Sequence, residues 1–253
     1  MGDQMDQVKY LLAGDRALDV EFGSDISEET NRKVKALNEA LNRSEIKGII
    51  ETVPTFRSLL IYYNPMIISY RKLMKILQKL NHQHVAYQQK VKRIIEIPVC
   101  YDRSLGEDMD RVIEFTGLSE EEMIRRHSAK DYLIYMLGFL PGFAYLGGMD
   151  HTLATPRLDN PRTKIPAGSV GIGGEQTGIY PLDSPGGWNL IGMTPVKPYR
   201  PERKEPFLYK AGDYIRFVPI DFDEFEKIKQ LVQEDSYFCK IIEGGNSDEY
   251  YRR

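Results

Sequence analysis

Arg157 and Arg162 stand in a stretch crowded with glycine and proline, and two guanidinium groups so close in sequence can hold a carboxylate or phosphate by paired hydrogen bonds. Further along the same stretch Gln176 and Thr177 are suited to orienting an amide, Tyr180 and Trp188 offer a phenol and an indole, and Lys164 and Glu175 lie among them. The run AGSVGIGGEQTG contains Gly171, Gly173 and Gly174, whose backbone N–H groups could form a nest for an anion. It fits neither GxxxxGK[ST] nor GxGxxG, and no helix start follows it to receive a pyrophosphate, so plain turns between strands suit the same glycines. His127 titrates near neutral pH and could act as acid or base; at the end of a short helix it would equally suit the helix dipole.

Other chemistries are poorly served. His82 and His84 stand apart from His127 and His151, and with no CxxC or HExxH pattern no metal site is expected. There is no GxSxG elbow, and Ser169 and Ser184 sit where turns are expected.

The elements that must position these side chains are legible in outline. Between Gly138 and Pro195 fall 12 of the 21 glycines and 7 of the 14 prolines, which excludes long helices and predicts short strands and tight turns, as in a barrel or sandwich. Just before it, SEEEMIRRH carries a capping-box signature in Ser119 and Glu122, placing His127 near the end of a short helix. After it, KAGDYIRFVPI reads as a closing strand. Asp221 or Asp223 would cap a helix striped by Phe225, Ile228, Leu231 and Val232, and the tail EGGNSDEYYRR should fray.

Toward the amino terminus, YLLAG and ALDVEF predict a hairpin with Leu18, Val20 and Phe22 on one face. An amphipathic helix with Val34, Leu37 and Leu41 follows, then a second hairpin from IKGIIETVP and FRSLLIYYNP. A second helix shows Leu73, Ile76, Leu77 and Leu80 on one side, and VKRIIEIPVCY returns to strand. This order predicts an α+β split-βαβ, ferredoxin-like sandwich at residues 5–95. A mainly β domain follows at 96–235, with a tail at 236–253.

The 253 residues carry 34 basic and 37 acidic side chains, a net charge of −3, and no long run of one sign, so no nucleic-acid partner is expected. Two cysteines are too few for a disulfide framework, and the polar first ten residues lack the basic head and apolar stretch of a secretory signal. The longest apolar run is broken at Gly138, Pro141 and Gly142, so no membrane span is expected either; a cytoplasmic location is the simplest reading.

The stretches YMLGFLPGFAYLGGMD, TPRLDNPRTKIPAGSVGIGGEQTGIYPLDSPGGWNLIGMTP and KAGDYIRFVPI together resemble the KipI/PxpB family, whose domain is also called allophanate hydrolase subunit 1. The resemblance covers about residues 8–220. It implies that the second domain is a cyclophilin-like β-barrel and that the chain acts as the PxpB-type component of an ATP-dependent 5-oxoprolinase. The partners it implies are a carboxyltransferase-like protein of the KipA/PxpC kind and a PxpA-like protein. Mg²⁺ would enter through ATP. A second role in the family is inhibition of a sensor histidine kinase; for that, Phe139, Phe143 and Tyr145 would be the gripping side chains. By position the resemblance carries His127, Arg157 and Arg162 as catalytic candidates, and Tyr145, Gly173, Gly174, Gln176, Thr177, Tyr180 and Trp188 as substrate or nucleotide contacts. Two departures stand out: Met193 occupies a position where relatives usually carry Arg or His, and YDRSLGED replaces the usual glycine-rich turn.

Overall fold

The computed structural model describes residues 8–24, 27–82, 91–244 and 248–249, and the chain forms two compact units, Met1–Lys90 and Val91–Arg253. The first unit contains β1 (Lys9–Leu12), β2 (Ala17–Glu21), α1 (Glu28–Ser44), β3 (Ile49–Pro54), β4 (Ser58–Tyr63) and α2 (Tyr70–His82). Its four strands are antiparallel in the order β1, β2, β4, β3, each expected hairpin pairing directly. The period-two pattern turns Leu18, Val20, Leu59 and Ile61 to one face, where Val34, Leu37 and Leu41 of α1 and Leu73 and Leu77 of α2 cover them. Ser27 caps α1 by accepting a hydrogen bond from the Thr30 amide.

The second unit opens with β5 (Arg93–Cys100), α3 (Met109–Thr116), α4 (Glu120–Ser128), β6 (Asp131–Leu137) and β7 (Ala144–Gly147). The glycine- and proline-rich stretch then supplies β8 (Arg162–Ile165), β9 (Ser169–Gly173), β10 (Gln176–Ile179), β11 (Ser184–Gly186) and β12 (Asn189–Met193). β13 (Tyr214–Ile220), α5 (Phe222–Gln233), β14 (Ile241–Glu243) and β15 (Asp248–Glu249) complete it. The main sheet runs β10, β9, β12, β5, β13, β6, β7, and β10 returns alongside β7, so this mixed sheet forms a nearly closed barrel. Ile95, Ile97, Tyr132, Ile172, Ile191 and Phe217 are among the side chains filling it.

The split-βαβ reading needs correction. The strand assigned as its last, β5, pairs in parallel with β13 and antiparallel with β12 and β14, all in the barrel unit. Apart from Arg93 and Glu96 every residue of β5 is buried, a run suited to the middle of a sheet covered on both faces rather than to an edge. Pro98, which has no N–H to give, lies in the gap between β14, which reaches only Ile95, and β12, which begins at Cys100. The first unit is therefore two hairpins and two helices.

The carboxy-terminal reading shifts as well. Ile241 is buried and β14 pairs with the start of β5, so the segment from 236 to Glu243 is part of the barrel unit rather than a tail. Asp221 is the cap of α5, accepting from the Glu224 amide. Ser119 caps α4, but the other half of the capping box is absent: Glu122 turns its carboxylate to Arg125 and Arg126, which hold it well below the usual carboxylate range, at about 2. No helix among the described residues is long and apolar enough to cross a membrane.

Candidate functional site

Phe143, in the turn between β6 and β7, is the hub of an aromatic cluster. Phe139, Tyr145, Tyr180 and Trp188 all meet it edge-on, with ring centroids 5.1–5.7 Å away. Trp188 is only 5% exposed and Tyr180 only 2%. The indole lies where a side chain at Gly173 would be: a Cβ there would stand 2.3 Å from the indole ring. Gly173 therefore serves packing between strands. Gly174 turns the chain at φ +64° and already spends its N–H on the Thr155 carbonyl, 2.8 Å away. Gln176, half-buried at the start of β10, pairs in register with Gly173.

The two arginines flank this cluster. The Leu158 amide bonds to the Gly187 carbonyl at 2.7 Å, which lays the segment after Arg157 along the Gly186–Trp188 turn. Arg162 faces Gly186 across the β8–β11 pair. Burial raises the pKa of Tyr180, and the Trp188 backbone together with the charges of Arg157 and Arg162 offsets part of that rise, so both guanidinium groups act on one phenol.

Arg162 is held firmly. Its Nη2 donates to Asp108 at 2.7 Å and its Nε faces Glu107 at 3.0 Å, while the other Asp108 oxygen accepts from the Leu190 amide at 2.7 Å. Its Nη1 is buried and has no hydrogen-bond partner. A buried donor left unpaired on a fixed guanidinium is costly, and an anion oxygen would relieve that cost once the groups covering Nη1 move apart. Arg111 donates to Asn189, whose amide in turn donates to the Pro156 and Ile172 carbonyls, tying the segment that leads to Arg157 onto β9 and β12.

Asp108, Asn189 and Arg111 were missed in the sequence. Asp108 belongs to the YDRSLGED loop noted there only as a departure, and its side chain makes no helix-cap bond. The loop is packed tightly on β12, since a Cβ at Gly106 would stand 2.4 Å from the Ile191 backbone.

His127 and Thr177 are placed elsewhere, and this corrects the catalytic reading of the histidine. His127 is 0% exposed, stacked on Phe217 in the barrel core with centroids 4.6 Å apart. Thr177 Oγ1 donates to the Gly171 carbonyl and so accepts from His127 Nε2–H at 2.7 Å, leaving Nδ1 to accept from the Tyr101 hydroxyl at 2.7 Å. Burial lowers the pKa of His127 to about 3, so the ring is neutral at pH 7 and reaches no ligand.

The linkage has a definite sign. The unfolded chain takes up a proton near pH 6.5 that the folded chain refuses until about pH 3, so stability falls as pH drops through that window. Going from neutral pH to about pH 5 should cost about 2 kcal/mol from this group alone. Urea titrations of the wild type and His127→Gln should show the variant losing about 2 kcal/mol less over that interval; equal losses would refute the assignment.

Of the aromatic grip expected for a kinase, only Phe139 is open, 61% exposed at φ +64°; Phe143 is buried and Tyr145 half-buried. Among the described residues no group of three or more His, Cys, Asp or Glu side chains is gathered for a metal, and His84 lies outside them.

Residues 8–209 match the family described as carboxyltransferase domain, subdomain C and D. The chain is 40% identical over 235 residues to the 5-oxoprolinase B subunit of Bacillus subtilis, covering 88% of this chain and 98% of that one. Crystalline TTHA0988 superposes with a TM-score of 0.71 at 40% identity, over 81% of this chain but only 40% of the other. The urea amidolyase of K. lactis shares the fold at a TM-score of 0.80 over 96% of this chain and 16% of that one, at 21% identity. With the match running through both units and the arginine-bearing loops, the chain belongs to the KipI/PxpB family of carboxyltransferase subdomain C and D proteins.

Proposed function

We propose that this chain is the PxpB-type component of an ATP-dependent 5-oxoprolinase, opening the lactam of 5-oxoproline to glutamate together with a KipA/PxpC-like and a PxpA-like partner. The observation that carries the reading is the 40% identity to a bacterial 5-oxoprolinase component along nearly that protein's whole length. The site chemistry supports it. A lactam is a poor electrophile at neutral pH. Attack of its oxygen on the γ-phosphorus of ATP, with ADP leaving, makes the ring carbon susceptible to water. Breaking the ring C–N bond then leaves a γ-glutamyl phosphate, and a second water releases phosphate.

Most of the protein's work in such a sequence is positioning and charge stabilisation. Arg162, fixed by Asp108 and Glu107 with Nη1 unpartnered, and Arg157, exposed beside Tyr180, are the groups of this chain suited to the phosphoryl oxygens. Any Mg²⁺ would arrive on the nucleotide. The site is one wall, and the carboxyltransferase-like partner supplies the other.

The test is reconstitution. The purified chain alone should show no 5-oxoproline-dependent ATP hydrolysis, and mixing it with its PxpC-like and PxpA-like partners from the same source should restore it. Full turnover by the isolated chain would overturn the shared-site reading. Inhibition of a sensor histidine kinase, with no lactam turnover even when both partners are present, would replace the enzyme reading with the regulatory one.

A further inference from the structure

Away from the arginine site, the barrel unit contains a cavity of about 640 Å³ that none of the residues discussed as catalytic or substrate-binding line. That volume is in the range of sites for small organic molecules. It is enclosed by the segment after β12, the end of α5 and the residues leading into β14.

Its two sides differ in chemistry. Val196, Leu208, Val232 and Ile241 give it an apolar floor, and Val196, Val232 and Ile241 are themselves buried. Cys239 also lines the floor; burial pushes its thiol up to about 12, so it is neutral and adds no negative charge. Lys197, Arg200, Arg203 and Lys204 bring positive charge from one short segment, and Arg93 adds another from β5.

Five carboxylates stand near these five cations, but four of them are spent on the arginines. Asp235 pairs with both Arg200 and Arg203, Glu202 takes the Nε of Arg200, and Asp213 and Glu243 take Arg93. Glu205 lines the cavity too. Lys197 acts on Glu202 only at longer range, and neither Lys197 nor Lys204 forms an ion pair among the described residues. Two arginines are thus locked in place by one aspartate while two lysines keep their charge available, above a floor that rewards an apolar body by about 25 cal/mol for each Å² it covers.

We propose that this cavity binds a small amphipathic organic anion, with an aryl or branched acyl body on the Val196–Leu208–Val232–Ile241 floor and its acid group at the Lys197–Lys204 rim. The site is independent of the arginine site and of the 5-oxoprolinase reading.

The probe is 1-anilinonaphthalene-8-sulfonate, titrated by fluorescence and calorimetry into the full chain, with N-phenyl-1-naphthylamine as the same ring system without the acid. Saturable one-to-one binding of the sulfonate is expected, with the neutral amine binding about tenfold more weakly or worse. Lys197→Glu/Lys204→Glu, on exposed side chains, should weaken sulfonate binding about tenfold, and Leu208→Trp should block it by filling the floor. The charge-reversed protein keeps the test open if Leu208→Trp does not fold. No saturable binding, equal binding of amine and sulfonate, or affinity unchanged in the charge-reversed protein would each overturn the proposal.

Discussion

Arg162→Lys should reduce 5-oxoproline-dependent ATP hydrolysis by the reconstituted complex about a hundredfold while leaving the folded chain intact, as expected when a preorganised donor to developing charge is lost. A lysine keeps the positive charge beside Asp108, which also retains its bond from the Leu190 amide, so an unpaired buried carboxylate is avoided. What it cannot keep is the fork: one ammonium cannot satisfy Glu107 and Asp108 and still present a fixed donor where Nη1 lies. Arg162→Ala would add a stability loss of about 2 kcal/mol, because Asp108 would be left with a single partner. Lys164→Ala removes a nearby exposed cation, ion-paired with Asp183 at 2.8 Å, and should leave the rate unchanged. If Arg162→Lys retains activity within about twofold, Arg162 is a structural group and the anion-binding role falls.

Trp188→Ala should cost about 3–5 kcal/mol of stability by denaturant titration. The indole fills the space left by Gly173, meets Phe143 and Tyr180 edge-on, and belongs to the buried cluster with Ile165 and Leu190. Removing it opens a cavity under the loops that bear both arginines, so activity should fall with stability. Trp188→Phe, which refills part of the space, should recover more than half of the loss. A loss below about 1 kcal/mol for Trp188→Ala would mean that the indole is not the support described. It is the chain's one tryptophan, so its fluorescence in the wild type reads this cluster alone.

Much of the fold could be read from local pattern. Alternation in ALDVEF named the inward face of β2, and helical spacing named Val34, Leu37, Leu41, Leu73 and Leu77. The density of glycine and proline foretold the short strands β8 to β12. What failed was the destination of β5. A run such as RIIEIPVC specifies a buried strand, but which sheet buries it depends on distant partners in β12, β13 and β14, the nearest of them beginning at Asn189.

The same division holds at the site. Sequence grouped Arg157, Arg162, Tyr180 and Trp188 with Lys164, Glu175, Gln176 and Thr177, because residue type and loop context mark groups able to meet an anion or an amide. It could not separate the first four from His127, Thr177 and Gly173, which have equally suggestive types, because exposure is a property of packing. Only the tertiary structure turns His127 into a neutral core group between Tyr101 and Thr177, gives Gly173 to the indole, and brings Asp108 across from the α3 loop to fix Arg162. Composition and spacing determined which chemistries the chain could attempt; long-range burial and pairing, which no local window encodes, decided which side chains are left in a position to attempt them.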